Sequence, residues 1–347
     1  LKRPVLKLEV LAQGRVADRP EGAYQAAPMA AWLEGRGLLV AYRQAWIDET
    51  WLSERSDHGQ DADIWLVRSL DCGLTFEPPR LIIDHRLDET NEFDALITAL
   101  GEDRVALISR AHRIDFVGSF GALSQDGGQT FSPRQPLDLD QWPIVFFGHL
   151  LPDGEEGGWL GSFYTYPWPY PGPGLDQPGL ARLGLDGSPP ELVGWIWEGR
   201  FEDSCLNETS MLRLADGRLL AVIRQEPCLE GLFAASSQDN GRTWSKPEPI
   251  GLFGEAPGLL LLPDGRLMVI FRGLGHGEEN YIGLALSEDG GRSWSWPYVL
   301  ETYTGGRFHG GYGDLVLTPS GEIVAVYYLA QRGETPVIGC SVLGLKS

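Results

Sequence analysis

The residue types in this chain that could do chemistry are a tyrosine between glycines, a glutamate at the foot of an apolar strand and a set of arginines at strand ends. Tyr312 lies in GGYGDLVLTPSGEIVAVYY, just ahead of the last hairpin pattern. Glu208 opens LNETSMLRLADGRLLAVIR, where a carboxylate gains little from the apolar run that follows, and Arg224 closes that run. A phenol has an ordinary pKa of about 10, so it becomes a nucleophile near neutral pH only beside a base. Asp94 and Glu92 stand two apart in NEFDALITAL, which puts them on one face of a strand. Asp57 sits in the polar stretch SERSDHGQDADIWLVRS, with Asp61 and Asp63 close behind. Arg43 and Arg272 end two other hairpin patterns, and Arg307 and His309 shortly precede Tyr312. A histidine there could carry a proton near neutral pH. Each residue also has a plain structural reading: a core tyrosine, a surface ion pair, a solvated loop carboxylate or a polar loop histidine.

Composition narrows the setting. The chain has 347 residues, 43% of them apolar, which fits a globular protein of one large or two ordinary domains. A formal charge of −20 speaks against a nucleic-acid partner, which needs basic patches. No apolar run reaches about 18 residues, so no membrane span is expected. The opening Leu1-Lys2-Arg3-Pro4-Val5 does not read as a secretory signal, and both compartment and oligomeric state are left open. Cys72, Cys205, Cys228 and Cys340 lack zinc-ligand spacing and read as buried free thiols or as disulfides. Neither a metal nor an organic cofactor is implied. Twelve Trp residues are core plugs or sugar-stacking platforms.

The elements that must position these residues come as repeats. Ser236–Ile250 reads SSQDNGRTWSKPEPI, and its Ser-x-Asp-x-Gly-x-Thr-Trp pattern describes a turn. Asp239 can accept hydrogen bonds from backbone N–H groups two or three residues on, Gly241 can take positive φ, and Trp244 can cover the turn. Copies start at Ser69, Ser124, Ser237 and Ser287, separated by 55, 113 and 50 residues, with a degenerate unit expected near Leu185, Asp186 and Gly187. Six strand–turn–strand patterns run in phase, among them APMAAWLEGRGLLVAYR, DALITALGEDRVALISR and GLLLLPDGRLMVIFR. A period of about 50 to 60 residues is that of four-stranded propeller blades. The chain is expected to be all-β, a single six-bladed β-propeller over residues 1–347, with KLEVLAQ near the N-terminus completing the last blade. The turns then mark the outer rim, and the first strand of each blade faces the centre.

Turns of this kind at blade spacing resemble the Asp-boxes of the sialidase (neuraminidase) superfamily, and the resemblance covers nearly the whole chain. It implies an aspartate acid/base, a tyrosine nucleophile paired with a glutamate, and an arginine triad that grips the substrate carboxylate. Carried over, these roles fall on Asp57 (with Asp61 or Asp63 as alternatives), Tyr312, Glu208 and, for one triad member, Arg224. Asp94, with Glu92, takes a position that in the family touches substrate hydroxyls or the acyl group, and Arg43 resembles an additional arginine beside the sugar.

The resemblance is incomplete. The first triad arginine falls on Gln25 in Tyr24-Gln25-Ala26-Ala27-Pro28, and the third falls near Glu279 and Asn280. Glutamine cannot supply the charge of a bidentate guanidinium contact. Arg272 and Arg307 are the candidate substitutes. The aromatic and proline-rich GSFYTYPWPYPGPG from Gly161 reads as the mouth of a pocket or as a subunit interface. The expected function is an exo-acting, retaining glycoside hydrolase for a terminal acidic or polyhydroxylated sugar on a glycan. The alternatives are a non-catalytic glycan-binding propeller and a polysaccharide lyase using Tyr312 and His309.

Overall fold

In the computed structural model the described residues are all except 1–2, 47–59, 89, 114–115, 140–142, 155–156, 166–175, 185–186, 200–203, 276–278, 305 and 347. They form six four-stranded antiparallel sheets arranged as a six-bladed β-propeller. Five blades use four consecutive strands. The sixth joins Gly310–Leu317, Ile323–Leu329 and Val337–Leu345 to Leu8–Arg15, which pairs antiparallel with Val337–Leu345 from Leu8↔Leu345 to Arg15↔Gly339. The N-terminal segment therefore closes the ring as the apolar pattern of KLEVLAQ anticipates.

No single blade can bury both of its faces, so the core lies between blades. Six apolar clusters fill the six junctions. One joins Leu38, Val40 and Tyr42 of the first blade to Val324, Val326 and Ile338 of the last. Another joins Val222 and Leu220 of the fourth to Val269 and Phe271 of the fifth.

The rim turns add a rivet at four of these junctions. In the first, Ser69 Oγ donates to Asp71 Oδ1, and Asp71 accepts from Thr75 N at 2.8 Å and Thr75 Oγ1 at 2.6 Å. Asp126, Asp239 and Asp289 repeat the arrangement. The principal backbone donor lies four residues on, one further than the turn pattern suggested. Each turn also reaches the preceding blade. Gly73, at φ +88°, lies where a Cβ would come within 3.2 Å of Val324 and Cys340 of the last blade, and Gly241 packs on Leu180 of the third. A side chain at either position would strain the backbone and collide with that core.

Of the tryptophans, Trp294 is buried beside its turn and donates to Gly291 O at 3.2 Å, whereas Trp296 is exposed. All four cysteines are free, with Cys205 and Cys340 buried and Cys72 and Cys228 half-buried. No helix among the described residues is long and apolar enough to cross a membrane.

Candidate active site

The six innermost strands are Ala23–Leu33, Asn91–Ala99, Ile144–Pro152, Cys205–Arg213, Gly254–Leu261 and Gly310–Leu317. Each one slips register against its neighbour: between Ala26 and Met29, Glu92 and Asp94, Phe147 and Leu151, Leu206 and Thr209, Glu255 and Gly258, and Gly311 and Asp314. A bulge adds a residue to one strand and re-aims its side chains. Ala27, Ala256 and Tyr312 occupy equivalent bulge positions with φ of 49°, 49° and 42°. Left-handed backbone is costly for a bulky residue, so Tyr312 is held in a strained conformation.

At the end of each hairpin the second strand delivers one large polar residue: Arg43, Arg110, Tyr164, Arg224, Arg272 and Tyr328, one per blade. Five stand at the bulge, and Tyr164 lies two pairs beyond its own. All six line a cavity of about 330 Å³, together with Tyr24, Phe93, Asp94, Asp176, Asn207, Glu208, Glu226, Phe308 and Tyr312.

At the centre of this cavity Tyr312 Oη donates a 2.5 Å hydrogen bond to Glu208 Oε1. Arg224 Nη1 lies 2.8 Å from the same carboxylate oxygen and 3.3 Å from the phenol. Burial and the neighbouring Glu208 charge push the phenol pKa well above its ordinary value, while Arg224 and Arg272 pull the other way. The resting proton therefore stays on Tyr312, already shared with a base. The Arg272 guanidinium carbon stands 5.0 Å from the centre of the Tyr312 ring.

Arg110 Nη2 pairs with Asp94 Oδ2 at 2.7 Å, and Arg110 Nη1 donates to Tyr164 Oη at 3.0 Å. Arg43 Nε donates to Glu92 O at 2.6 Å, and its guanidinium lies over Phe93. Asp176 accepts from Asn207 Nδ2 at 3.1 Å, and its Oδ1 has no hydrogen-bond partner among the described residues. Burial pushes the Asp176 carboxyl up to about 6. Below the cavity, His149 Nε2 and Ala30 N both bond Asp314 Oδ2 at 2.9 Å, tying three inner strands together.

The structure thus brings Tyr312, Glu208, Arg224, Asp94, Arg43 and Arg272 to one cavity. Other expected site residues lie elsewhere. Glu92 does not share the face of Asp94: the bulge between them breaks the strand alternation, and Glu92 turns outward to Arg134 at 2.9 Å and Thr90 at 2.8 Å. Gln25 is fully buried inside its blade beside Gln44, while Tyr24, Ala26 and Ala27 face the cavity. Arg307 and His309 are not in the cavity wall. Arg307 lies behind it, bridging Glu226 and Glu255. Asp57 lies outside the described residues. Its alternatives do not line the cavity: Asp61 is exposed, and Asp63 binds His85 Nδ1 at 2.7 Å.

Asp63, Asp84 and His85 bring ligand-type atoms within 4.8 Å of one another. Those atoms are committed to His85 and Arg86, so the cluster reads as a loop brace. The glycines around Tyr312 also have a packing reason. A Cβ at Gly311 would lie 2.6 Å from Arg272, and one at Gly313 would lie 2.6 Å from Ile270.

Arg110, Tyr164 and Tyr328 went unremarked in the sequence although the repeat itself marks them, since each ends a hairpin at the position Arg43, Arg224 and Arg272 take in theirs. Asp176, Asn207 and Glu226 carry no such signal.

A ring of blades with a tyrosine–glutamate pair and arginines at its hub defines a sialidase-like propeller. The chain matches the family model described as a BNR repeat-like domain over residues 50–325 and belongs to that family. No curated protein matches it in sequence. Among solved structures it is similar to a protein of unknown function from Dyadobacter fermentans, at 20% identity, with 98% of this chain and 99% of that chain covered and a TM-score of 0.80. It is also similar to the Trypanosoma rangeli sialidase solved in complex with sialic acid, at 10% identity and a TM-score of 0.68, covering 95% of this chain and 58% of that one. The Penicillium chrysogenum alpha-L-arabinanase complexed with arabinobiose is similar at 13% identity and a TM-score of 0.67, covering 96% and 98%. At these identities the likeness is one of fold.

Proposed function

We propose that the chain is a retaining, exo-acting glycoside hydrolase that releases a terminal sugar from a glycan, with Tyr312 as nucleophile. The observation that carries the reading is the 2.5 Å bond from Tyr312 Oη to Glu208 at the hub, with Arg224 against both. Tyrosine nucleophiles are a recognised departure from the two-carboxylate scheme.

In the first step Glu208 takes the phenol proton as Tyr312 Oη bonds to the anomeric carbon and the glycosidic C–O bond breaks. An acid protonates the leaving oxygen, a role the family resemblance carries to Asp57. Water then attacks the anomeric carbon, giving one proton to the now deprotonated acid, the C–O bond to Tyr312 breaks, and Tyr312 Oη takes its proton back from Glu208. Arg224 and Arg272 steady the developing phenolate charge. Tyr24, Phe93, Phe308 and Tyr328 offer apolar faces for the sugar ring. The propellers of a sialidase and an arabinanase support a carbohydrate ligand by analogy of fold.

The test is a panel of aryl glycosides followed by proton NMR. The reading expects one class of glycoside to be cleaved with the released sugar first appearing in the substrate's anomeric configuration. First appearance of the inverted anomer would contradict it. A glycan-binding propeller without turnover is the second reading. It is favoured by the high pKa of the resting phenol, and it predicts that Tyr312→Phe leaves glycan affinity intact with no hydrolysis anywhere in the panel.

A further inference from the structure

The arginines of this cavity are already occupied. Arg272 Nη1 pairs with Glu255 Oε2 at 3.1 Å, Arg307 Nε donates to the same oxygen at 3.0 Å, and Arg307 Nη2 bonds Glu255 Oε1 closely. Arg224 Nε stands 3.9 Å from Glu255 Oε1, so three guanidinium groups converge on one fully buried carboxylate. Glu226 binds two of the three again, Arg224 closely and Arg307 at 3.2 Å. Glu208 takes the remaining end of Arg224 at 2.8 Å, and Asp94 takes Arg110. The described residues lining the cavity include four arginines, matched by the four carboxylic residues Asp94, Asp176, Glu208 and Glu226.

We infer that Glu255, seconded by Glu226, is a specificity-determining residue. Standing with Arg307 behind the cavity wall, it neutralises the Arg224 and Arg272 guanidiniums that the acid group of an anionic sugar would otherwise meet, so the cavity selects a neutral, polyhydroxylated sugar. The inference rests on the reading of this cavity as a glycoside site and narrows its substrate class.

The physical reason is charge balance in a buried place. A carboxylate entering from solvent would lose its hydration and meet guanidiniums already paired, with Glu208 and Glu226 at the same wall. Glu255 is held in the charged form. Burial alone would raise its pKa, but Arg224, Arg272 and Arg307 outweigh burial and hold it at about 2. It does not become neutral to admit a second acid at any ordinary pH. What the cavity still offers suits hydroxyl groups: Glu208 Oε2 and Asp176 Oδ1 have no hydrogen-bond partner among the described residues, and both side chains line the wall. Neutral hydroxyls can donate to both without adding charge.

The test follows the arginine Nε–H signals by proton–nitrogen NMR while the protein is titrated with sodium acetate, glucuronate and N-acetylneuraminate. In the unaltered chain the Arg224 and Arg272 signals are expected to stay still with all three anions. In Glu255→Gln, which keeps size and removes the charge, saturable shifts should appear and affinity for at least one anion should rise tenfold or more. If that variant does not fold, Glu226→Gln is read the same way. Saturable shifts in the unaltered chain, or no gain in a folded variant, overturn the inference. The readout needs no turnover. Failure of Tyr312 as a nucleophile would thus leave a neutral-glycan binding cavity, whereas anion binding by the unaltered chain would leave an enzyme for acidic sugars.

Discussion

The rim and the hub of this propeller use the same residue types to opposite ends. At the rim, Asp71, Asp126, Asp239 and Asp289 each hold the same two groups, a backbone N–H and a hydroxyl four residues on. The surroundings are wet, and the hydrogen bonds from Thr243 draw the Asp239 carboxyl down to about 2. At the hub, the six equivalent hairpin ends keep their place in the repeat but not their chemistry, with four arginines and two tyrosines. There the carboxylates are buried and face guanidiniums. Where a ring repeats identical residues, they build the ring. Where it repeats a position and varies the residue, the variation makes a site.

The sharpest way to break this contrast is to exchange the two regions' sensitivities. Tyr312→Phe should lower kcat on whichever glycoside is cleaved by about a thousandfold or more, with little change in thermal stability. Asp239→Asn at the rim should leave kcat unchanged. Equal losses in the two variants would erase the distinction.

Breaking one buried pair comes next in size. Arg110→Met strands Asp94 without its 2.7 Å partner. Loss of one member of a buried pair costs about 3–5 kcal/mol, which denaturant unfolding would show. A loss no larger than that of a rim variant would mean the hub charges are better solvated than the cavity walls suggest.

Asp176 gives a pH signature of its own. Its folded pKa of about 6 lies above the unfolded value of about 3.9, so the folded state holds the proton more tightly. Stability is therefore lost as pH rises between those values, and the full cost of roughly 2–3 kcal/mol is present above about pH 6. Asp176→Asn should stabilise the protein at pH 8 and do nearly nothing at pH 3.5, by melting in parallel buffers. The opposite order would show that the carboxyl is charged and well satisfied.

The smallest effect has the opposite sign. Asp239 is depressed in the folded state, so its contribution is complete above the unfolded carboxyl pKa and fades as pH falls through about 2. Asp239→Asn should cost about 1 kcal/mol at pH 7, the worth of a hydrogen bond, and the deficit should close in strong acid.

The scaffold was legible because its signals are periodic: turns about 50 residues apart, hairpins in phase with them and a spare N-terminal strand. Tyr312, Glu208 and Arg224 could be named because the hairpin starts and ends are visible in the sequence. Glu92 was misplaced because two-residue alternation holds only for a regular strand, and a bulge shifts the face between it and Asp94. Gln25 came from the family resemblance alone; it lies in the regular part of its strand, on the face opposite Tyr24 and Ala26. Asp176 was not legible because it follows a proline- and glycine-rich stretch with no period to mark it. Glu255 reads in the sequence as one more carboxylate, and only the packing of three blade ends shows what it neutralises.

The measurement that bears most directly on the account is peptide mass mapping after incubation with a panel of fluorinated glycosyl fluorides, which form slowly hydrolysed glycosyl-enzyme adducts. The account predicts one adduct, on the Tyr312 side chain, absent from Tyr312→Phe and slowed in Glu208→Gln. An adduct on Asp94, Asp176 or another carboxylate in a chain that turns over the parent sugar would contradict it.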